Sequence, residues 1–301
     1  RMKAGAIAFD KAEVKFKLDE KKKPVDVYFK VQKDAHKLIE EFMLLANKAV
    51  ATKIGKKEKG GVAVKTFVYR IHDLPDQEKL NEFADLAKRF GYKVDLNNPT
   101  KIASSLNGLL AAVKGKPEQN MLEMLAIRSM AKAEYSTQNI GHFGLAFPFY
   151  SHFTSPIRRY PDMIAHRLLF KYANGESSAK EDGIEKLCKH SSMMENKAAS
   201  AERESTKLYQ TLFMSEHIGD IFDGVISGIT DWGIFVEISS NKCEGLVRMR
   251  DIEGDFYFYD QPNMQAVGQR TKNTLKLGET VTVRVEEADL VSRRIELKIL
   301  T

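Results

Sequence analysis

The first thirty residues alternate apolar and polar positions. Ala6-Ile7-Ala8-Phe9, Val14-Lys15-Phe16-Lys17-Leu18 and Val25-Asp26-Val27-Tyr28-Phe29 carry the period of two that predicts a strand and a hairpin. The period then becomes helical over 34–51, with Asp34 as the expected N-cap. A short strand is predicted at 66–71, a helix near 76–90 opened by Asp73-Leu74-Pro75-Asp76, and further helices near 99–113 and 117–132. The stretch 137–160 is rich in Gly, His, Phe and Pro and keeps no clean period. It predicts a long ordered loop, and such loops inside compact domains are usually functional. Two helices follow, over about 160–174 and 183–216, the second unusually long.

From Gly219 the pattern changes. Short strands are predicted at 220–228, 233–238, 244–249, 279–285 and 295–299, with glycine-marked turns between them. Five such strands argue for a small closed or partly open barrel. The expected division is therefore 1–217 and 218–301, and two domains suit a chain of 301 residues.

Composition narrows the class. With 43% hydrophobic and 29% charged residues the chain can bury proper cores, which excludes wholesale disorder. No apolar run approaches the roughly 18 residues of a helical membrane span, so no membrane is expected among the partners. Two cysteines, Cys188 and Cys243, cannot make a disulfide framework, and a reducing, cytoplasmic compartment is expected. The N-terminus Arg1-Met2-Lys3 enters strand pattern at once, without signal-peptide character, and looks like the middle of a longer chain. The net charge of +6 is mild. Lys21, Lys22 and Lys23 beside Pro24 read as a solvated hairpin tip. The basic loop from Lys53 to Gly61 reads either as solvated or as a phosphate-tracking segment.

Several residues are candidates for chemistry. Pro156-Ile157-Arg158-Arg159 leads into a helix start at Tyr160-Pro161, where a guanidinium and a helix N-terminus together suit a phosphate. Two surface arginines at the end of a loop remain the alternative. A Ser-His pair drawn from Ser151, His152 and Ser155 lacks a nucleophile-elbow context. On the helix 34–51, Ala35, Leu38, Ile39, Phe42, Ala46, Ala49 and Val50 form the expected apolar stripe. His36, Glu40 and Asn47 line one flank, while Glu41 falls among Lys37 and Lys48 on a solvated face. Glu202 sits near an expected inner stripe of Leu187, Cys188, Ser191, Ala198, Ser205 and Leu212, so it needs a ligand or an arginine partner. In the barrel, Phe235 should point away from the core, beside Trp232, the only tryptophan. The pair suits base stacking or, alternatively, core packing. The run Phe256-Tyr257-Phe258-Tyr259 either extends that surface or packs on the barrel's side.

Two family resemblances cover essentially the whole chain. Gly224-x-Val, Trp232-Gly233-Ile234-Phe235-Val236, Glu244-Gly245-Leu246-Val247 and Asp289…Arg294-Ile295-Glu296-Leu297 resemble the OB-fold RNA-binding domain of the ribosomal protein S-one type. Upstream, Gly5-Ala6-Ile7, Asp34 to Glu41 with Ala46-Asn47, Tyr69 to Asp73, His142 to Phe147, Tyr150 to Asp162 and Ala201-Glu202-Arg203 occur in order. They are similar to the RNase II/RNase R family of processive 3′-to-5′ exoribonucleases, and the Arg-Arg-Tyr-Pro-Asp form is closer to its RNase R branch. The resemblance implies an α+β fold: an incomplete RNB-type catalytic domain of β-hairpin and helices, followed by a five-stranded OB-fold β-barrel. It implies that Arg158 is the catalytic arginine holding the scissile phosphate. It further implies that Glu40 and Glu202 contact terminal nucleotides, that Phe9 stacks the 3′-terminal base, and that Trp232, Phe235, Arg248, Asp289 and Arg294 line the barrel's RNA face. Arg248 stands where that family commonly has a histidine.

The same resemblance implies hydrolysis of single-stranded RNA to nucleoside 5′-monophosphates with Mg²⁺ or Mn²⁺, by a monomer. The family holds its metal with an aspartate cluster upstream of the Gly5-Ala6-Ile7 equivalent, because such ions need hard oxygen ligands. No closely spaced aspartate run occurs in these residues, and Asp10, Glu13, Asp19 and Glu20 are interrupted by lysines. The expectation is the C-terminal part of an exoribonuclease, with no metal ligands downstream of residue 1 and no activity alone. A non-catalytic RNA-binding protein on the same scaffold is the alternative.

Overall fold

The computed structural model describes residues 5–7, 13–30, 33–56, 64–116 and 118–300. The chain forms two compact units. The first comprises Arg1–Phe9, Gln32–Ala111 and Leu125–Ala199, the second Asp10–Val31, Ala112–Met124 and Ser200–Thr301.

Helix α1 (Asp34–Gly55) opens the first unit's helical part. Lys33, not Asp34, occupies the N-cap, and its N–H donates to His36 Nδ1 at 3.1 Å. Asp34 becomes the first helical residue, where its charge still suits the positive helix end. The expected stripe on α1 is not the buried one. Leu44, Asn47 and Ala51 are buried, whereas Leu38, Ile39, Phe42 and Leu45 stand exposed. Periodicity identifies an apolar side of a helix but not what covers it. A two-stranded antiparallel ribbon of β3 (Tyr69–Ile71) and β4 (Glu134–Ser136) follows, with Arg70 opposite Tyr135. Around it pack Ala51, Phe67, Val68, Ile164, Ala165, Leu168 and Cys188. Ala51 comes from α1, Phe67 and Val68 from the segment leading into β3, Ile164, Ala165 and Leu168 from α5 (Tyr160–Ala173), and Cys188 from the first part of α6 (Glu181–Ser215). Helix α2 (Gln77–Arg89) starts because the Asp76 carboxylate accepts from the N–H groups of Glu78 and Lys79. It buries Leu80, Phe83, Leu86 and Ala87 at helical spacing, and α3 (Pro99–Val113) buries Ile102, Leu106 and Leu109. Helix α4 (Gln119–Ser129) completes the helical set.

In the second unit, β1 (Glu13–Leu18) and β2 (Pro24–Lys30) form the expected hairpin, and Phe16 stacks on Tyr209 of α6 at 6.0 Å. Its tip is solvated: Lys21, Lys22 and Lys23 are exposed, and Asp19 accepts from the N–H groups of Lys21 and Lys23. The barrel consists of β5 (Ile221–Thr230), β6 (Gly233–Ile238), β7 (Glu244–Arg248), β11 (Thr280–Asp289) and β12 (Arg294–Leu300). It closes in the order β11-β12-β7-β6-β5, with β5 pairing back onto β11. Every second residue points inward, so Ile234, Val236, Ile238, Val247, Val283, Val285 and Leu297 fill the core, capped by Met214 of α6. Between β7 and β11 lies a second sheet that the sequence pattern did not predict: β8 (Tyr257–Asp260), β9 (Gln265–Gly268) and β10 (Thr274–Lys276). Its strands are three or four residues long, too short to show a period.

Barrel closure depends on small residues where strands approach. A Cβ on Gly233 would lie 2.6 Å from the Val247 carbonyl oxygen, which is backbone and cannot turn aside. Gly233→Ala is therefore expected to destabilise the barrel by about 1–3 kcal/mol, read as a lower urea midpoint. An unchanged midpoint would show that β6 and β7 can separate freely at this point.

Candidate nucleic-acid interface

The segment Tyr150–Asp162 is irregular but pinned at almost every residue. Ser151 Oγ donates to Val68 O at 2.6 Å, and Arg70 N–H donates to Tyr150 O at 2.9 Å. Asn47, buried on α1, donates to the Tyr150 hydroxyl at 3.2 Å and accepts from the N–H groups of Phe153 and Thr154 at 2.9 and 3.2 Å. His152 Nδ1 meets the Tyr135 hydroxyl at 2.8 Å, and the Arg70 guanidinium lies over the Tyr135 ring while pairing with Glu195 at 2.6 Å. His166 stacks flat on Phe153 at 3.8 Å. Ser151 is thus a buried structural donor and His152 is committed to Tyr135, which removes both from any nucleophilic pair. The anchoring role of Asn47 was invisible in sequence, where it showed only as a polar residue flanking an apolar stripe.

The two arginines diverge. Arg159 donates to Asp162 Oδ2 at 2.8 Å, and the same oxygen accepts from Ser155 N–H at 2.7 Å. Asp162 has no exposed surface, and its other oxygen has no hydrogen-bond partner, so Arg159 neutralises a buried charge. Arg158 is exposed beside the fully exposed Ile157, and its only side-chain bond reaches Ser155 Oγ at 3.5 Å. A fixed pedestal therefore presents one guanidinium to solvent, one residue before the N-cap of α5. Phosphate oxygens there would meet a planar donor fork and the positive end of a helix.

Next to the pedestal, His72, Leu74, Ile140, His142, Phe147 and Gly5 border a cleft of about 260 Å³. His72 accepts from Gly144 N–H at Nδ1 and lies 2.8 Å from Ala131 O at Nε2, so the ring is held with its proton on Nε2. Burial, with help from His72 and Arg70, pushes His142 down to about 3. Burial, with help from Arg159 and Arg70, does the same for His152. Both imidazoles are neutral members of the packing, and they lower the tolerance of this unit to acid.

The remaining expected residues scatter. Phe9 and the Lys57–Gly61 part of the basic loop lie outside the described residues. Glu40 is half-buried on α1 and has a polar partner. Glu202 does not sit beside a buried face. On α6 the burial is confined to the two ends, around Cys188 and Ser191 and around Thr211 and Met214, while Ala198, Glu202 and Ser205 are exposed. The small residues that suggested a continuous stripe are simply small and solvated. Among the described residues no group of three or more His, Cys, Asp or Glu side chains is placed to hold a metal ion. Asp19 is committed to the hairpin tip, and Asp10 lies outside the described residues.

On the barrel, Trp232 is exposed at the entrance to β6, and Phe235 lies on the outer face, ring to ring with it at 5.3 Å and 86°. The core-aromatic alternative is thereby excluded for Trp232, and Phe235 is half-buried outside the barrel core. Arg248 pairs with Glu296, so its cation is partly satisfied within the protein. Asp289 and Arg294 face each other across the β11–β12 hairpin. The Asp289 carboxylate accepts from Ser292 Oγ and Val291 N–H, bonds that hold it below the usual carboxylate range. It is a turn-former first.

Two outcomes follow from this geometry. Arg159→Ala leaves Asp162 buried and unpaired and is expected to cost about 3 kcal/mol, whereas Arg158→Ala should stay within about 0.5 kcal/mol of the parent. Urea unfolding of both variants decides, and equal losses would contradict the pedestal. The second concerns acid. The unfolded chain takes up protons on His142 and His152 near pH 6.5, which the folded state refuses until about pH 3. Stability is complete above that upper value and falls below it, each histidine contributing a slope approaching about 1.4 kcal/mol per pH unit. His152→Gln, which keeps an acceptor for Tyr135, should flatten the fall in urea midpoint between about pH 7 and pH 5. An unchanged fall would show that His152 is free to protonate in the fold.

Comparison with known proteins gives this arrangement a family. An RNB domain matches residues 1–175, and an S1 RNA binding domain matches residues 216–300. Ribonuclease R 1 of Lactococcus lactis subsp. lactis is 37% identical across 100% of this chain, which spans 36% of that protein. Ribonuclease R of Aquifex aeolicus is also 37% identical, across 100% of this chain and 42% of its own length. The apo form of Mycoplasma genitalium RNase R superposes with a TM-score of 0.89 at 28% identity, covering 99% of this chain and 47% of that one. The same protein in complex with ribose methylated single-stranded RNA superposes equally well, with a TM-score of 0.89. The chain thus spans less than half the length of these relatives. Its RNB match alone covers more than half of its own length, and the chain belongs to the RNase II/RNase R family of exoribonucleases.

Proposed function

We propose that this chain is part of a 3′-to-5′ exoribonuclease that hydrolyses single-stranded RNA processively to nucleoside 5′-monophosphates. The observation that carries the reading is the exposed Arg158 guanidinium, on a loop held inward through Ser151, Phe153, Thr154, Ser155 and Arg159. In this reading Arg158 grips the scissile phosphate and Arg159 keeps the loop in shape. Glu40, Glu202 and Phe9 contact the terminal nucleotides, and Trp232 and Phe235 stack on bases upstream, with Arg248, Asp289 and Arg294 at the same face. The Mycoplasma genitalium relative in complex with single-stranded RNA supports the choice of ligand. The family's chemistry calls for Mg²⁺ or Mn²⁺, and the donors described here do not supply that site. Its ligands are assigned to sequence upstream of residue 1, so residues 1–301 are inactive by themselves. A monomer working in the cytoplasm is the accompanying proposal.

The test is made in the complete protein. Arg158→Lys keeps the charge and loses the fork, and it is expected to cut monophosphate release by about two orders of magnitude, with little change in RNA affinity. Arg159→Lys should leave the rate nearly intact. Equal rate losses at both positions would take Arg158 out of the catalytic role, and so would a loss at Arg158 traced wholly to binding. Mg²⁺-dependent release of monophosphates by residues 1–301 alone would overturn the assignment of the metal site. A complete protein that binds RNA and never cleaves it would favour a non-catalytic RNA-binding protein on the same scaffold.

A further inference from the structure

Alternation along the barrel strands decides which charges share its outer face. On β7, Gly245 and Val247 are buried while Leu246 and Arg248 point outward. On β12, Ile295, Leu297 and Ile299 fill the core while Glu296 and Lys298 point outward. The register sets Phe235 of β6 opposite Leu246, and Leu246 opposite Glu296. Arg248 lies opposite Gly233, the residue after Trp232. Arg248 and Glu296 meet as a partly exposed ion pair between β7 and β12, at the border of a cleft of about 350 Å³. Glu296 first, and then Asp251 and Glu287, raise the Arg248 guanidinium above its ordinary value, so the cation stands among carboxylates of its own chain.

Neighbouring cations are held in the same way, Lys298 by Glu253 at 2.6 Å and Arg284 by Glu286 at 2.7 Å. Arg248 differs from these in standing beside the rings. It is two residues from Leu246, the partner of Phe235, which is about 7 Å along a strand. A ligand that engages both must carry a flat ring and an anion a short distance apart. A nucleotide within a single strand does so, whereas a free phosphate has no ring. We propose that Glu296 occupies the place of an RNA phosphate on Arg248, and that single-stranded RNA binds this face by exchanging one anion for the other. The proposal rests on the RNA-binding reading above and adds to it a residue of the chain that competes with the substrate.

Exchange leaves a signature in the salt dependence of binding. A phosphate that meets a free arginine releases its condensed cation. A phosphate that displaces Glu296 releases the same cation, but the freed carboxylate attracts one in return. The contact then orients the strand beside the rings and contributes almost nothing to the salt slope. This suits the module's composition, since residues 216–301 carry ten basic and fifteen acidic side chains. A partly exposed ion pair is weak, so an incoming phosphate can displace it and Glu296 can return when the strand leaves.

The experiment is fluorescence anisotropy of the 301-residue chain with a labelled oligouridylate about twelve nucleotides long, within the span of one OB fold, over a series of salt concentrations. Glu296→Gln keeps the shape and removes the competing charge. It is expected to tighten binding about threefold at low salt, the scale of a partly exposed ion pair that need no longer be broken. It should also steepen the slope of log affinity against log salt by about 0.7, the value for one more phosphate neutralised on a single strand. Arg248→Ala should weaken binding about threefold and keep the parent's slope, and in that background Glu296→Gln should lose most of its effect. Urea midpoints check the fold, and Glu296→Thr, a neutral residue that suits a strand, carries the same expectation if the glutamine variant is unstable. A slope made shallower by about 0.7 in Arg248→Ala would show Arg248 meeting phosphate as a free cation and overturn the proposal. Equal tightening by Glu296→Gln with and without Arg248 would overturn it too, by reducing Glu296 to a general negative charge. If Glu296→Gln changes neither affinity nor slope while Trp232→Ala with Phe235→Ala weakens binding, the exchange is refuted and the RNA-binding reading stands. Absence of binding by the parent chain refutes both.

Discussion

A carboxylate with no exposed surface must be neutralised where it lies, because water cannot do so. Asp162 is such a group, and the shape of the loop before it follows from its needs. Its Oδ2 takes the Arg159 guanidinium and the Ser155 N–H, closing the turn that contains Arg158. Within that turn the side chains of Ile157 and Arg158 are exposed, while the Arg158 and Arg159 N–H groups both donate to Ser155 O. Two neighbouring arginines of identical chemistry consequently do different things. One satisfies the interior and the other faces solvent.

The anchoring extends well beyond that turn. Asn47 reaches from α1 to three groups of the loop, and Tyr135, held under Arg70, receives His152. These are buried polar contacts, each costly to leave unmade, so they specify one loop conformation more sharply than apolar packing would. The neutral histidines belong to the same logic. His142 and His152 are packed as weakly polar rings, and their burial ties the loop's integrity to pH.

The elements with a long and regular period were legible in the sequence. The hairpin, the helices, the five barrel strands and the outward direction of Phe235 follow from spacing alone, since alternation and helical repeat are properties of single segments. What spacing could not supply was the neighbour. On α1 the apolar positions were identified, yet Leu38, Ile39 and Phe42 are exposed and the buried face is led by Leu44, Asn47 and Ala51. On α6 a stripe of small residues suggested burial around Glu202, and the packing occurs only at the ends of the helix. The sheet β8–β10 was missed because strands of three and four residues carry no period. The motif resemblance singled out Arg158 but could not say why its neighbour differs. That reason is a tertiary contact with a residue buried by the fold.

The distribution of charge suggests how the two parts of the chain divide the work on the reading proposed above. Residues 1–215 carry thirty-seven basic and twenty-six acidic side chains, and residues 216–301 carry ten and fifteen. A polyanion is therefore drawn by the first part, whose excess of cations acts over a Debye length of about 8 Å at physiological salt and weakens as salt rises. The barrel cannot add to that attraction by net charge. It offers rings instead, Trp232 and Phe235 outside the barrel core, whose stacking depends little on salt and little on base identity. An enzyme that moves along its substrate needs a grip of this kind. On the proposed reading, sequence-tolerant contacts of similar strength at each base let the strand advance without falling into a deep well, and the exposed guanidinium of Arg158 is left for the phosphate at which the strand is cut.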